Sequence, residues 1–236
     1  MTDSTVSDTL AGMLISRAVF MVAFLLVGLT PAQDRISFPT EDGGLVYANV
    51  YGRGERGVVF AHGARFNKES WDKQAQAVAS AGFHALAFDF RGHGQSKGPA
   101  GRSPDQGRRF DVLAAVRYLR NSNSTTVSVI GASMGGDYAA EAAEAEPDAI
   151  DRLVLLAAGA YTPLVRAKAR KLFLMSRDDV IGDNKPRMPP IRDQYGKASG
   201  PKEFVVLEGS AHAQLLFQTD QGDRVMREIL RFLSEP

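Results

Sequence analysis

Residues 126–145 read TVSVIGASMGGDYAAEAAEA. The β-branched opening (Val127, Val129, Ile130) suits a strand, and the Ala- and Glu-rich end has high helix propensity. Between them, Gly131-Ala132-Ser133-Met134-Gly135 puts small residues where a strand must reverse sharply into a helix. A turn of this kind is a nucleophile elbow: it holds a serine oxygen clear of the sheet, at a helix N-terminus whose free N–H groups favour negative charge. Ser133 is therefore the candidate nucleophile.

The five-residue pattern needs its context, because the chain carries it twice. Gly94-Gln95-Ser96-Lys97-Gly98 also fits, but Pro99 and Gly101 follow, so no helix starts there and the segment reads as a loop. The flanking strand and helix select Ser133 over Ser96.

Working outward, residues 35–38 and 45–51 alternate apolar and polar positions around Glu41-Asp42-Gly43, as an exposed hairpin does. The run 57–61, GVVFA, is continuously apolar, as a strand buried on both faces is, and it ends at His62-Gly63-Ala64-Arg65. The spacing of Trp71, Ala75, Val78 and Ala79 predicts a helix over 68–81, and Gly82 ends it. Strand 84–90, helix 105–121 with Ser103-Pro104 as start signal, strands 152–158, 171–176 and 203–207, and a closing amphipathic helix over 223–233 follow. Residues 182–200 form a segment broken by prolines. Strands alternating with helices predict an α/β fold: a mostly parallel sheet with an antiparallel N-terminal edge and helices on both faces. Its site belongs at the carboxyl ends of the strands, where Ser133, the doublet Asp178-Asp179 and His212 all fall.

A serine hydroxyl needs a base within hydrogen-bond reach, and the base needs an acid to orient it. The marks His62-Gly63, Asp89-x-Arg91-Gly92-His93-Gly94-x-Ser96, Gly131-x-Ser133-x-Gly135 and Gly209-x-x-His212, with the order serine, acid, histidine, resemble the α/β-hydrolases from residue 36 to the end. The resemblance implies Ser133 as nucleophile, His212 as general base and then acid, and Asp179 as the orienting acid, with Ser176 in place of the family's glycine. Asp178, one residue earlier, is the alternative. It also implies an oxyanion hole from the backbone N–H groups of Met134 and Ala64, although His62-Gly63-Ala64-Arg65 departs from the His-Gly-Gly-Gly of many esterases. His62 is expected to support that loop, His93 to serve the glycine turn, and His84 to sit in the core or at an edge. Arg65 is read as solvated, with a substrate carboxylate as the other reading.

The resemblance extends to dienelactone-hydrolase-like proteins, whose usual nucleophile is cysteine; serine here favours plain ester chemistry. The expected activity is cleavage of a small-molecule ester or thioester. Amidase or peptidase action on the same triad, and a non-catalytic binding protein on this fold, are the alternatives. Family lids are commonly inserted after strand 152–158, and the short stretch 159–171 leaves room for little or no cap, with 182–200 as one wall of an open pocket.

At 236 residues and a net charge of +1, the chain is sized for one well-cored domain and lacks the electrostatic footprint of a nucleic-acid binder. The basic clusters Arg108-Arg109 and 166–171 read as solvated faces. Absence of cysteine removes disulfides, thiolate metal sites and a cysteine nucleophile. Neither metal-ligand spacing nor a phosphate or dinucleotide loop is present, so no metal or cofactor is expected. No protein partner can be read from the sequence.

Residues 18–29, AVFMVAFLLVGL, form an uncharged apolar run after Arg17 and before Thr30-Pro31-Ala32-Gln33. It is shorter than the roughly 20 residues of a membrane-spanning helix. Residues 1–32 are therefore expected to be a signal peptide, with an N-terminal anchor as the alternative, and 33–236 the hydrolase domain, secreted or periplasmic. The acidic leader before Met13 suits a signal poorly, which favours a start at Met13.

Overall fold

Apolar runs in consecutive strand positions are stable only where both faces of a sheet are covered. In the computed structural model, which describes residues 33–158 and 161–235, those runs lie side by side at the centre of one sheet. In chain order the elements are β1 (Gln33–Pro39), β2 (Leu45–Tyr51), β3 (Arg56–Ala61), α1 (Asp72–Ser80), β4 (His84–Phe88), α2 (Arg108–Asn121), β5 (Thr126–Ala132), α3 (Met134–Ala145), β6 (Arg152–Leu156) and β7 (Arg170–Ser176). A small hairpin of β8 (Val180–Ile181) and β9 (Lys185–Pro186), α4 (Met188–Lys197), β10 (Lys202–Leu207) and α5 (Gly222–Ser234) complete the described chain. The predicted signal segment lies outside the described residues. Among those, no helix is long and apolar enough to cross a membrane.

The eight-stranded sheet has the order β1-β2-β4-β3-β5-β6-β7-β10. β2 runs antiparallel to β1 and to β4, while the remaining pairs are parallel, as the sequence predicts. All of β4, and all but the first residue of β3, β5, β6 and β7, are buried. Successive side chains point to opposite faces, so both faces are covered. From β3 the chain steps outward to β4 and then returns past β3 to β5. The connections leaving β3 and β5 therefore diverge, which opens a crevice at their carboxyl ends.

Several expectations change in detail. The segment 68–81 begins as a 3-10 turn (Lys68–Trp71), with Asn67 Oδ1 accepting the Ser70 N–H, before α1 starts at Asp72. α2 starts at Arg108, after Gly107 at φ +86°, rather than at the Ser103-Pro104 signal. The proline-broken stretch contains a helix, α4, because Pro189 and Pro190 fall in its first turn, where N–H groups have no intrahelical acceptor anyway. Two basic residues expected in solvent are buried. Arg108 pairs with Asp105 and lies over the Tyr138 ring. Lys171 donates to the carbonyls of Ala167, Ala169 and Ser199 and to Ser199 Oγ.

Candidate active site

β5 ends at Ala132, and Ser133 takes the strained conformation φ +49°, ψ −119° before α3 begins. Its N–H donates to Leu156 O on β6 at 2.9 Å, which fixes the bend to the sheet. The two motif glycines are required by space. A Cβ on Gly131 would lie 2.6 Å from Gly135 O, and one on Gly135 would collide with the carbonyl of Ala61.

Asp179 and His212 reach the same rim from β7 and β10, which are parallel neighbours with Ser176 opposite Leu207. The two loops beyond them are tied together: Arg177 N–H donates to Leu207 O, Asp178 N–H to Gly209 O, and Ser176 Oγ–H to Ala211 O at 2.6 Å. β10 is three strands from β5, roughly 14 Å at normal strand spacing, and the loop carrying His212 turns back over the strand ends to cover that distance. His212 Nδ1 lies 2.7 Å from Asp179 Oδ2, and His212 Nε2 lies 2.9 Å from Ser133 Oγ. An ionised carboxylate only accepts, so Nδ1 carries the proton and Nε2 is left to accept from the serine hydroxyl. Asp179 is buried, whereas Asp178 is exposed and makes no bond to His212.

The loop after β3 forms the facing wall. His62 is fully buried, with Nδ1–H donating to Gly63 O at 2.9 Å and Nε2 accepting the Phe90 N–H at 3.1 Å. Burial pushes its pKa down to about 4, so the ring is neutral and pins this loop to the one after β4. His93 Nε2 is 3.1 Å from Ala64 O, on the same loop. His84 is buried at the start of β4, and burial lowers its pKa as well. Among the described residues neither the Ala64 N–H nor the Met134 N–H is used in a backbone hydrogen bond, so neither is spoken for there. Ser96, in the second copy of the motif, is buried and accepts the Tyr47 N–H at 2.9 Å, a structural role.

Ser133 and His212 open into a pocket of about 470 Å³. Phe66, Val180, Ala213 and Leu215 give it apolar walls, and Arg65 and Arg187 supply its charge. Val180 opens the β8–β9 hairpin and Arg187 follows it; of the stretch 182–200 expected to form a wall, only Arg187 lines the pocket. The connection from β6 to β7 forms neither helix nor strand among its described residues. Hollows of about 560 and 500 Å³ lie elsewhere, the larger against the amino ends of β3, β5 and β6, and neither contains any of these site residues.

Two residues of the site have no signal in the sequence pattern. Gln214 is buried, accepts the Gly63 N–H on Oε1 at 2.7 Å and donates from Nε2 to Ser70 Oγ at 2.7 Å. Arg187 brings Nε to 3.6 Å from Asp179 Oδ1, and its N–H donates to Asp179 O at 3.0 Å.

Residues 53–177 match the family model described as serine aminopeptidase, S33. A non-heme chloroperoxidase of Streptomyces lividans is 35% identical over 123 residues, which cover 50% of this chain and 43% of that protein. One from Kitasatospora aureofaciens is 36% identical over 99 residues, covering 41% and 34%. The chain thus spans less than half the length of these curated relatives. Among solved structures, an esterase of Pyrococcus furiosus superposes with a TM-score of 0.70 at 18% identity, covering 86% of this chain and 94% of that one. A dienelactone hydrolase of Anabaena variabilis gives 0.71 at 19%, covering 86% and 97%. At such identities the likeness is one of fold.

Proposed function

The chain belongs to the serine aminopeptidase S33 family of α/β-hydrolases, and we propose that it is a serine hydrolase that cleaves a carboxylic ester or thioester through an acyl-enzyme on Ser133. The observation that carries this reading is the unbroken row Ser133 Oγ, His212, Asp179, with both links under 3 Å.

In this reading Ser133 Oγ attacks the carbonyl carbon while His212 Nε2 takes its proton. The carbonyl oxygen becomes an oxyanion held by the Ala64 and Met134 N–H groups, fixed donors that need no reorganisation as charge develops. Collapse breaks the bond to the leaving oxygen or sulfur, which takes the proton from His212, and the acyl group stays on Ser133. Water then attacks the acyl carbon and gives its proton to His212, and the return of that proton to Ser133 Oγ releases the acid. Asp179 stays ionised, holding the ring in the productive tautomer and stabilising its cation.

Turnover of p-nitrophenyl esters of graded chain length by the wild type and by Ser133→Ala tests this. Ser133→Ala is expected to abolish turnover and labelling by a fluorophosphonate. A wild-type protein that takes up no fluorophosphonate is a binding protein on this fold. The family description favours a second reading, amide cleavage, and an L-alanine anilide turned over faster than the matching ester would establish it. Residues 18–29 support secretion or periplasmic export of the domain from residue 33 onward, and N-terminal sequencing of the exported protein tests that.

A further inference from the structure

The walls of the pocket carry charge of one sign. Arg65 and Arg187 line it, and among the described residues no Asp or Glu does. The two arginines differ in what they have left to give. Arg187 already faces Asp179 and reaches toward Val180 O at 3.4 Å. Arg65 is exposed, lines the pocket and makes no ion pair or hydrogen bond among the described residues. The neighbouring acids do not answer it: Glu69, four residues on, pairs with Lys68 at 2.7 Å, Asp179 is buried behind His212, and Asp178 and Asp183 are exposed outside the pocket lining.

Resting on the ester reading above, we infer that the natural substrate is an ester with a carboxylate in its acyl part, a half-ester of a short dicarboxylic acid, and that Arg65 binds that carboxylate. A planar guanidinium fork matches a carboxylate with two parallel N–H donors. One free fork matches one carboxylate, and the apolar walls from Phe66, Val180 and Leu215 suit the methylenes between the two carbonyl carbons. Arg65 follows Ala64, whose N–H faces the oxyanion in this mechanism. The carboxylate therefore sits within one arginine side chain of the reacting carbon, and the spacer is short. The same walls disfavour the α-ammonium that an aminopeptidase substrate carries, since it would enter against two cations with no carboxylate to receive it.

Three ethyl esters of equal carbon count separate the possibilities: monoethyl succinate, ethyl butyrate and ethyl 4-aminobutyrate, followed by titration of released acid in low salt. The expected kcat/KM order is succinate, butyrate, aminobutyrate, with succinate ahead of butyrate by about tenfold or more, the scale of one charge-assisted hydrogen-bonded pair. That ratio should fall with added salt, collapse toward one in Arg65→Gln, and stand between in Arg65→Lys, which keeps the charge and loses the fork. Succinate no better than butyrate in the wild type, or a ratio unmoved in Arg65→Gln, overturns the inference and leaves the ester reading intact. Failure of the wild type to hydrolyse any of the three removes the ester reading and this inference with it.

Discussion

The side-chain carbonyl of Gln214 accepts the N–H of Gly63 at 2.7 Å, a bond across 151 positions of sequence that joins the loop of His212 to the loop carrying Ala64. Its amide nitrogen is held in turn by Ser70 Oγ, so the acceptor cannot swing away. Gln214 is thus placed to set where the next amide, Ala64 N–H, points. Gln214→Met keeps the volume and removes both bonds. It is expected to lower kcat by roughly 10- to 100-fold, less than or near the cost of deleting an oxyanion donor outright, with KM within about twofold. Gln214→Glu still accepts from Gly63 and should recover most of kcat. Equal losses in kcat for both variants, or a loss confined to KM, would rule out positioning; steady-state kinetics on p-nitrophenyl acetate decides.

The two adjacent aspartates offer a sharp contrast. Asp179 is buried at 2.7 Å from His212 Nδ1, and Asp178 is exposed with no bond to the ring. Asp179→Asn leaves a side chain that favours the wrong histidine tautomer, a change worth about 10⁴ in kcat in the well-studied serine protease case. A fall of at least about 10³ is expected here, against less than about twofold for Asp178→Asn. The reverse ranking in kcat would move the acid to Asp178.

Much of this arrangement is legible in the sequence because it is local. A residue just past a parallel β-strand lies on one rim of the sheet whatever the rest of the chain does, and Ser133, Asp179 and His212 each follow such a strand, buried for the first two and partly buried for the third. The elbow glycines are legible for the same reason, since their collisions involve only adjoining strands and the turn itself. Gln214 and Arg187 are not legible: each acts through a partner chosen by tertiary packing, and no spacing rule marks a glutamine two residues after a histidine. α4 was hidden by a different cause. Two prolines read as a break, yet in a first turn they cost no hydrogen bond. Lys171 shows the limit of reading charge as exposure, because three backbone carbonyls and a hydroxyl replace its water.

Arg91 explains the Asp-x-Arg-Gly-His-Gly turn as architecture. It is fully buried, donates from Nε and Nη2 to Asp111 at 2.9 and 2.7 Å, and donates from Nη1 and Nη2 to Asp42 at 2.7 and 2.9 Å. One guanidinium thereby joins the β1–β2 hairpin turn, the loop after β4 and the first turns of α2. Arg91→Met strands the buried Asp111 carboxylate and is expected to destabilise the protein by about 3–5 kcal/mol, the usual cost of breaking a buried pair from one side. Urea unfolding measures it, and a loss under 1 kcal/mol would reduce the network to a surface contact.

His62 gives the fold a defined sensitivity to acid. Burial lowers its pKa from 6.5 to about 4, so between those values the unfolded chain binds a proton that the folded chain refuses. Stability then rises with pH across that window: the contribution is intact above pH 6.5, declines as pH falls, and is gone once the folded ring itself protonates near pH 4. The span corresponds to about 3 kcal/mol at 1.36 kcal/mol per unit. Protonation also forces Nε2 to give up the Phe90 N–H and brings a charge beside Ala64, so the loop facing Ser133 should loosen before the sheet unfolds. His62→Asn does not titrate. Its unfolding free energy, lower than wild type at pH 7.5, is expected to decline less steeply from pH 6.5 to 4 by the slope of one proton. Parallel urea-derived stability curves for the two proteins across that range would show that His62 is not the group responsible.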